Sequence, residues 1–156
     1  MDVAYVNPFI NSTISTLKTM INLEVTPGKP VLKKQSSEHV FDISGIIGLS
    51  GSAQGSIALS FPKLMALKIV SKMLEQEIKV IGPEICDGIG ELTNIVAGAA
   101  KAELAVKTNH SLSISLPNVI IGKNHSVMRP SGLPGIMVPF ASSIGNFAME
   151  VSLKTS

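Results

Sequence analysis

Asp87, Glu91 and Asn94 lie in the segment CDGIGELTNIVAGAAKAEL at spacings of four and three residues. On a helix those spacings bring all three side chains onto one face, a turn apart from one another. A carboxylate can bind a cation. A carboxamide can accept a hydrogen bond from a water while donating one to a neighbouring oxygen. Such a set can bind a cation and orient a water without a metal or a nucleophile of its own. On spacing alone, a solvated helix surface is the commoner account of the stripe, because Glu and Asn are ordinary exposed residues.

The elements that must carry these residues can be read from periodicity and turn chemistry. Asn7–Pro8 reads as the start of a first helix, with Phe9, Ile10, Ile14, Leu17, Met20 and Ile21 at helical spacing. VTPGKPVLKK follows as a turn and an extended arm. HVFDISGIIGLSG and AQGSIALSF read as a hairpin turning at Gly51–Ser52, and PKLMALKIVSKMLEQE as an amphipathic helix begun by Pro62. Ile81–Gly82–Pro83 breaks the chain before a long helix of about Glu84 to Lys107. Its apolar side is expected to hold Ile85, Ile89, Leu92, Val96 and Ala99, and its other side Asp87, Glu91, Asn94, Gly98 and Lys101. SLSISLPNVIIG, SVMRPSG, GIMVPFASS and NFAMEVSLK then read as strands joined by Gly, Pro and Asn turns. The pattern fits one α+β domain over residues 1–156.

Other kinds of chemistry find little support. The glycines Gly45, Gly48, Gly51 and Gly55 are not followed by Lys-Ser or Lys-Thr at a helix start, so strand bends and a hairpin are expected there, not a phosphate loop. His39, His110 and His125 are dispersed, without a second ligand at metal spacing; turn or surface positions are expected, with His125 able to line an edge. No G-x-S-x-G elbow is present. Cys86, the single cysteine, excludes an internal disulfide framework, and its neighbour Asp87 opposes thiolate formation, so a buried structural cysteine is expected.

The chain of 156 residues carries a net charge of +2, and its basic residues are scattered and include Lys33, Lys34, Lys63, Lys101 and Arg129. With no basic run interleaved with aromatics, nucleic acid is not an expected partner. No apolar run reaches the roughly 18 to 20 residues of a spanning helix, and MDVAYVNPF lacks the basic and apolar regions of a signal peptide, so the expectation is a soluble cytoplasmic protein with no membrane partner.

Gly88, Gly90 and Gly98 within the long helix each cost about 1 kcal/mol relative to alanine, which asks for compensation by close approach of another backbone. For Gly98, one turn beyond Asn94, a second account is open: its missing side chain leaves the carboxamide accessible to a bulky partner.

D-x-x-x-E-x-x-N followed by a proline, here Asp87, Glu91, Asn94 and Pro117, resembles the signature of the CheC/CheX/FliY family of chemotaxis phosphatases. The similarity runs through VNPFINSTISTLKTMINLEVTPGKP, DISGIIGLSGSAQGSIALSF, GELTNIVAGAAKAEL and ISLPNVIIGKNH to IMVPFASSIGNFAMEVSL. CheC and FliY proteins usually carry two E-x-x-N motifs; this sequence shows one, and so looks like the short CheX branch. The resemblance implies a mixed sheet packed against a long helix pair. It also implies hydrolysis of the aspartyl phosphate on a CheY-type response regulator. Glu91 would pair with the regulator's active-site lysine, and Asn94 would hold a water in line with phosphorus. Asp87 would support Glu91 or the helix N-terminus, and Gly98 and Lys101 would serve docking. Pro117 is expected to shape a strand end or loop. The chain would need no cofactor of its own, with Mg2+ belonging to the partner regulator. A homodimer joined at sheet edges is implied as well, and Val119, Ile120 and Ile121 supply an apolar edge. A non-catalytic module that docks on a response regulator is the alternative; a small-ligand domain lacks a convergent polar cluster.

Overall fold

The structure, a computed structural model, describes residues 3–32, 41–109, 111–125, 133 and 135–155. In chain order its elements are α1 (Val3–Ile21), β1 (Val25–Pro27), β2 (Val31–Leu32), β3 (Phe41–Gly51), β4 (Ala53–Phe61) and α2 (Lys63–Leu74), then α3 (Pro83–Thr108), β5 (Leu112–Ile114), β6 (Asn118–His125), β7 (Gly135–Ser142) and β8 (Gly145–Thr155). The α+β order read from the sequence is observed, except that the turn and arm after α1 hold the short strands β1 and β2, and SLSISLPNVIIG divides into β5 and the start of β6. His39, His110 and the segment SVMRPSG lie outside the described residues.

The strands make one sheet in the order β1-β7-β8-β4-β3-β5, with β2 also paired to β7 and β6 also paired to β3. Every pairing among the described residues is antiparallel, which corrects the expected mixed sheet. A parallel pair needs a crossover between neighbouring strands. Here β3–β4 and β7–β8 are hairpins, and the α2–α3 excursion returns to the opposite side of β3, not beside β4.

Helix α1 begins before the expected Asn7 start and carries Pro8 within it. Val6 is buried together with Phe9, Thr13 and Leu17, so the packed face extends a turn ahead of the proline. That packing offsets the hydrogen bond which Pro8 cannot donate. On α3 the buried row runs through Ile85, Ile89, Leu92, Val96 and Ala100 to Leu104. Ala99, expected on the apolar side, is exposed, because the row steps by four residues after Val96 and not by three.

The phenylalanines Phe9, Phe61, Phe140 and Phe147 are among the largest fully buried side chains or lie close to them in burial. Phe147 stacks on both Phe61 and Phe140, with ring centroids 5.0 and 4.9 Å apart. These contacts knit β4, β7 and β8 into the floor on which the helices rest.

Two polar devices fasten β6 to the rest of the sheet. Asp42 of β3 accepts from the backbone N–H of Lys63 (2.8 Å) and of Asn124 (3.3 Å). It thereby supplies the cap for α2 that Pro62 has no side chain to provide. His125 Nδ1 lies 2.6 Å from the carbonyl of Gly122, so that nitrogen carries the hydrogen. In the neutral ring Nε2 then accepts from Ser44 Oγ at 2.7 Å, and Ser44 in turn accepts from Ser60 at 2.6 Å. His125 is thus a half-buried member of an inter-strand chain, at the edge strand where its neighbour Asn124 had suggested it.

Helices α1 and α3 form the long pair, bridged at the surface by Glu103, which accepts from Lys107 Nζ (2.8 Å) and Asn11 Nδ2 (3.2 Å). The Lys107 hydrogen bond, aided by Asn11 and by the lysine's charge, outweighs desolvation and lowers the Glu103 carboxyl below its ordinary value. A lowered carboxyl adds stability above its unfolded-state pKa, and that small contribution fades as pH falls through its folded value.

The seam between helix and sheet sets the demand on Gly45. A Cβ there would overlap the Thr93 hydroxyl and come within 3.3 Å of Ile89 Cγ2, whereas a Cβ at Gly98 meets nothing within 4 Å among the described residues. In urea titrations followed by circular dichroism, Gly45→Ala is expected to lose about 1–3 kcal/mol by overpacking. Gly98→Ala is expected to hold or gain up to about 1 kcal/mol. Equal stability of the two variants would show that the seam is not tight.

Candidate functional site

Three close contacts aim the polar face of α3. Thr93 is fully buried against β3 at Gly45, with its hydroxyl donating to the Ile89 carbonyl at 2.7 Å. Gly88 receives the Val70 side chain of α2, which a Cβ would approach to 2.7 Å. Gly90 faces Val119 and Pro117 at the start of β6, at 3.4 and 3.6 Å from where its Cβ would stand. The close approaches expected at Gly88 and Gly90 exist, but side chains make them where backbone was expected. A methyl group facing a glycine lets α3 settle as closely as a neighbouring backbone would.

At about 100° per residue, Thr93 lies about 160° around the helix from Glu91. Seating Thr93 in the sheet therefore turns Glu91 outward. Asp87 and Glu91 are exposed and Asn94 is half-buried. Together with Cys86 and Gly90 they line one wall of an open groove of about 630 Å³, and Leu116, Pro117 and Val119 line the other. Among the described residues, no hydrogen bond or ion pair engages the side chains of Asp87, Glu91 or Asn94. Their polar atoms face outward and are available to a partner.

The groove unites most of the residues singled out by type and spacing. Gly98 and Lys101 continue the same face, with open space at Gly98 and an exposed lysine beyond it, but neither lines the groove. Pro117 immediately precedes β6, as a strand-shaping proline should, and also forms part of the wall. Cys86 is half-buried in the groove and not buried in the core, a correction that follows from its position one turn before Gly90. Leu116 and Val119 were not singled out as wall residues. Leu116 sits in a turn with no periodicity to flag it, and Val119 belongs to an edge strand whose helix contact depends on tertiary packing.

The site can present a carboxylate to a cation and a carboxamide to a water or an oxyanion. Among the described residues no three His, Cys, Asp or Glu side chains are gathered as a metal-binding group. No helix among them is long and apolar enough to cross a membrane.

Known proteins resemble this chain over most of its length. Residues 43–141 match the family model described as Chemotaxis phosphatase CheX. The CheY-P phosphatase CheX of Thermotoga maritima is 31% identical over 131 residues, covering 80% of this chain and 79% of that protein. The crystal structure of a CheC-like superfamily protein from Shewanella sp. PV-4 superposes with a TM-score of 0.92 at 39% identity, over 99% of each chain. The CheX–CheY–BeF3–Mg2+ complex from Borrelia burgdorferi matches with a TM-score of 0.82 at 27% identity, over 96% of this chain and 97% of that one. The chain belongs to the CheX family of chemotaxis phosphatases.

Proposed function

We propose that this protein hydrolyses the aspartyl phosphate of a CheY-type response regulator by inserting the polar face of α3 into the regulator's phosphorylation pocket. The observation that carries this reading is the pair Glu91 and Asn94, one turn apart at an open groove and without partners among the described residues. The named activity of the Thermotoga relative and the CheY bound to the Borrelia relative support it.

Glu91 docks: its exposed carboxylate pairs with a regulator lysine, and Asp87, one turn earlier, adds negative potential to the same face. Asn94 aims the water. Its Oδ1 accepts a hydrogen bond from the water while Nδ2 donates to a neighbouring oxygen. The water oxygen bonds to phosphorus as the bond from phosphorus to the aspartyl oxygen breaks; the aspartate leaves as carboxylate and the water's proton ends on the inorganic phosphate. An acyl phosphate is already activated, so positioning accomplishes most of what a helper must supply. Mg2+ held by the regulator would offset phosphoryl charge. Gly98 leaves room beside the carboxamide, and Lys101 meets the partner farther along the helix. Action on such a regulator implies work in the cytoplasm.

The reading extends to a homodimer. Strand β6 pairs with β3 on one side and carries Ile120 and Ile121, which are 43% and 46% exposed. Pairing of this edge with a second copy would cover both the isoleucines and the open backbone groups.

Asn94→Ala is expected to reduce stimulated phosphate loss from a phosphorylated regulator by roughly 100-fold or more while docking stays within a few-fold. An unchanged hydrolysis rate would remove Asn94 from the mechanism. Glu91→Lys is expected to weaken regulator binding at least tenfold by charge reversal. Saturable binding by the parent chain without faster phosphate loss would instead favour the docking module. The double variant Ile120→Lys/Ile121→Lys is expected to sediment as a folded monomer; a dimer that survives it uses another edge.

A further inference from the structure

Leu116 is 85% exposed, yet the turn that carries it is fastened to β3 by hydrogen bonds. The turn joins β5 to β6 across the place where β3 passes from one partner to the other. There the Gly48 N–H donates to Ser115 Oγ at 2.8 Å, and the Ser115 N–H donates to the Gly48 carbonyl at 2.9 Å. The Ser115 hydroxyl donates onward to the Leu116 carbonyl at 2.9 Å. Pro117 then restricts Leu116 to extended backbone and fixes the following φ. A large apolar side chain is thus displayed in water with little backbone freedom left to lose.

Single exposed leucines are common on protein surfaces. This one lines the same groove as Glu91 and Asn94, opposite them, and is backed by the half-buried Pro117 and Val119. Ile120 and Ile121 belong to the strand beyond, which among the described residues pairs only with β3. The groove therefore has a polar wall and an apolar wall, and a protein surface that fills it meets both.

We infer that Leu116 is an apolar docking residue for the response regulator, burying itself against a hydrophobic patch beside the lysine that Glu91 meets; this rests on the function proposed above. Leu116 contributes to affinity and partner choice and touches no reacting atom. A leucine moved from water into a packed contact, on a turn that needs no ordering, has the strength of an interface anchor.

The test uses the full chain with purified CheY phosphorylated by acetyl phosphate, following initial rates against regulator concentration. For Leu116→Ser the half-saturating concentration is expected to rise about tenfold, and further for Leu116→Asp. The rate at saturation should change less than about twofold, and Leu116→Met should restore most of the affinity. Because the side chain is already in water, the thermal midpoint should hold for all three variants. Unchanged half-saturation in Leu116→Asp would overturn the inference. So would a fall confined to the saturating rate, or dissociation of the dimer with no change in regulator affinity. A parent chain that does not accelerate phosphate loss would sink the phosphatase reading alone; direct binding of the same variants to CheY still decides the role of Leu116.

Discussion

Helix α3 rests on strand β3 through an absence. Gly45 has no side chain, and the space where a Cβ would sit is filled by the hydroxyl and methyl-bearing carbon of Thr93. That contact fixes the rotation of a long helix about its own axis. Rotation matters more here than depth, because the polar face lies on the far side of the helix from Thr93. Turning α3 by one residue, about 100°, would carry Glu91 away from the groove. Gly88 under Val70 and Gly90 beside Val119 hold the same rotation from two other directions. Gly98, where a Cβ would meet nothing within 4 Å among the described residues, plays no part in the seating.

A rigid base with unengaged side chains suits a helper that completes another protein's active site. The buried residues of α3 are engaged in packing or, in Thr93, in a hydrogen bond to the helix's own backbone. Among the described residues, Asp87, Glu91 and Asn94 have no internal partner to surrender on meeting one outside. The opposite wall has similar economy: its turn is fastened through Ser115 and Gly48, while Leu116 itself remains in water. Preorganised backbone with uncommitted side chains keeps the ordering entropy of association low.

Most of the helices and strands were legible because their signals are local. Apolar periodicity marked α2 and α3, glycine marked the β3–β4 turn, and helical spacing alone gathered the polar stripe. The misreadings occurred where distant contacts override local preference. Pro8 looked like a helix start, but the burial of Val6 carries α1 past it. Ala99 looked like a core position, but the packed row continues through Ala100. Cys86 looked buried until the start of β6 came alongside α3 and left it at a groove. Asp42 gave no sign that it would cap a helix beginning 21 residues later and also hold β6.

By itself the sequence determined that Asp87, Glu91 and Asn94 share a helix face and, through its motif, which family they resemble. Helix geometry is set by neighbours three and four residues apart, so that much is written locally. It did not determine what stands across from them. The wall of Leu116, Pro117 and Val119 is brought there by pairing of β5 and β6 to a strand some seventy residues earlier. Whether that polar face is a solvated surface or one side of a cleft was decided only when the sheet closed beside it, because long-range pairing and side-chain packing leave no periodic mark on the chain.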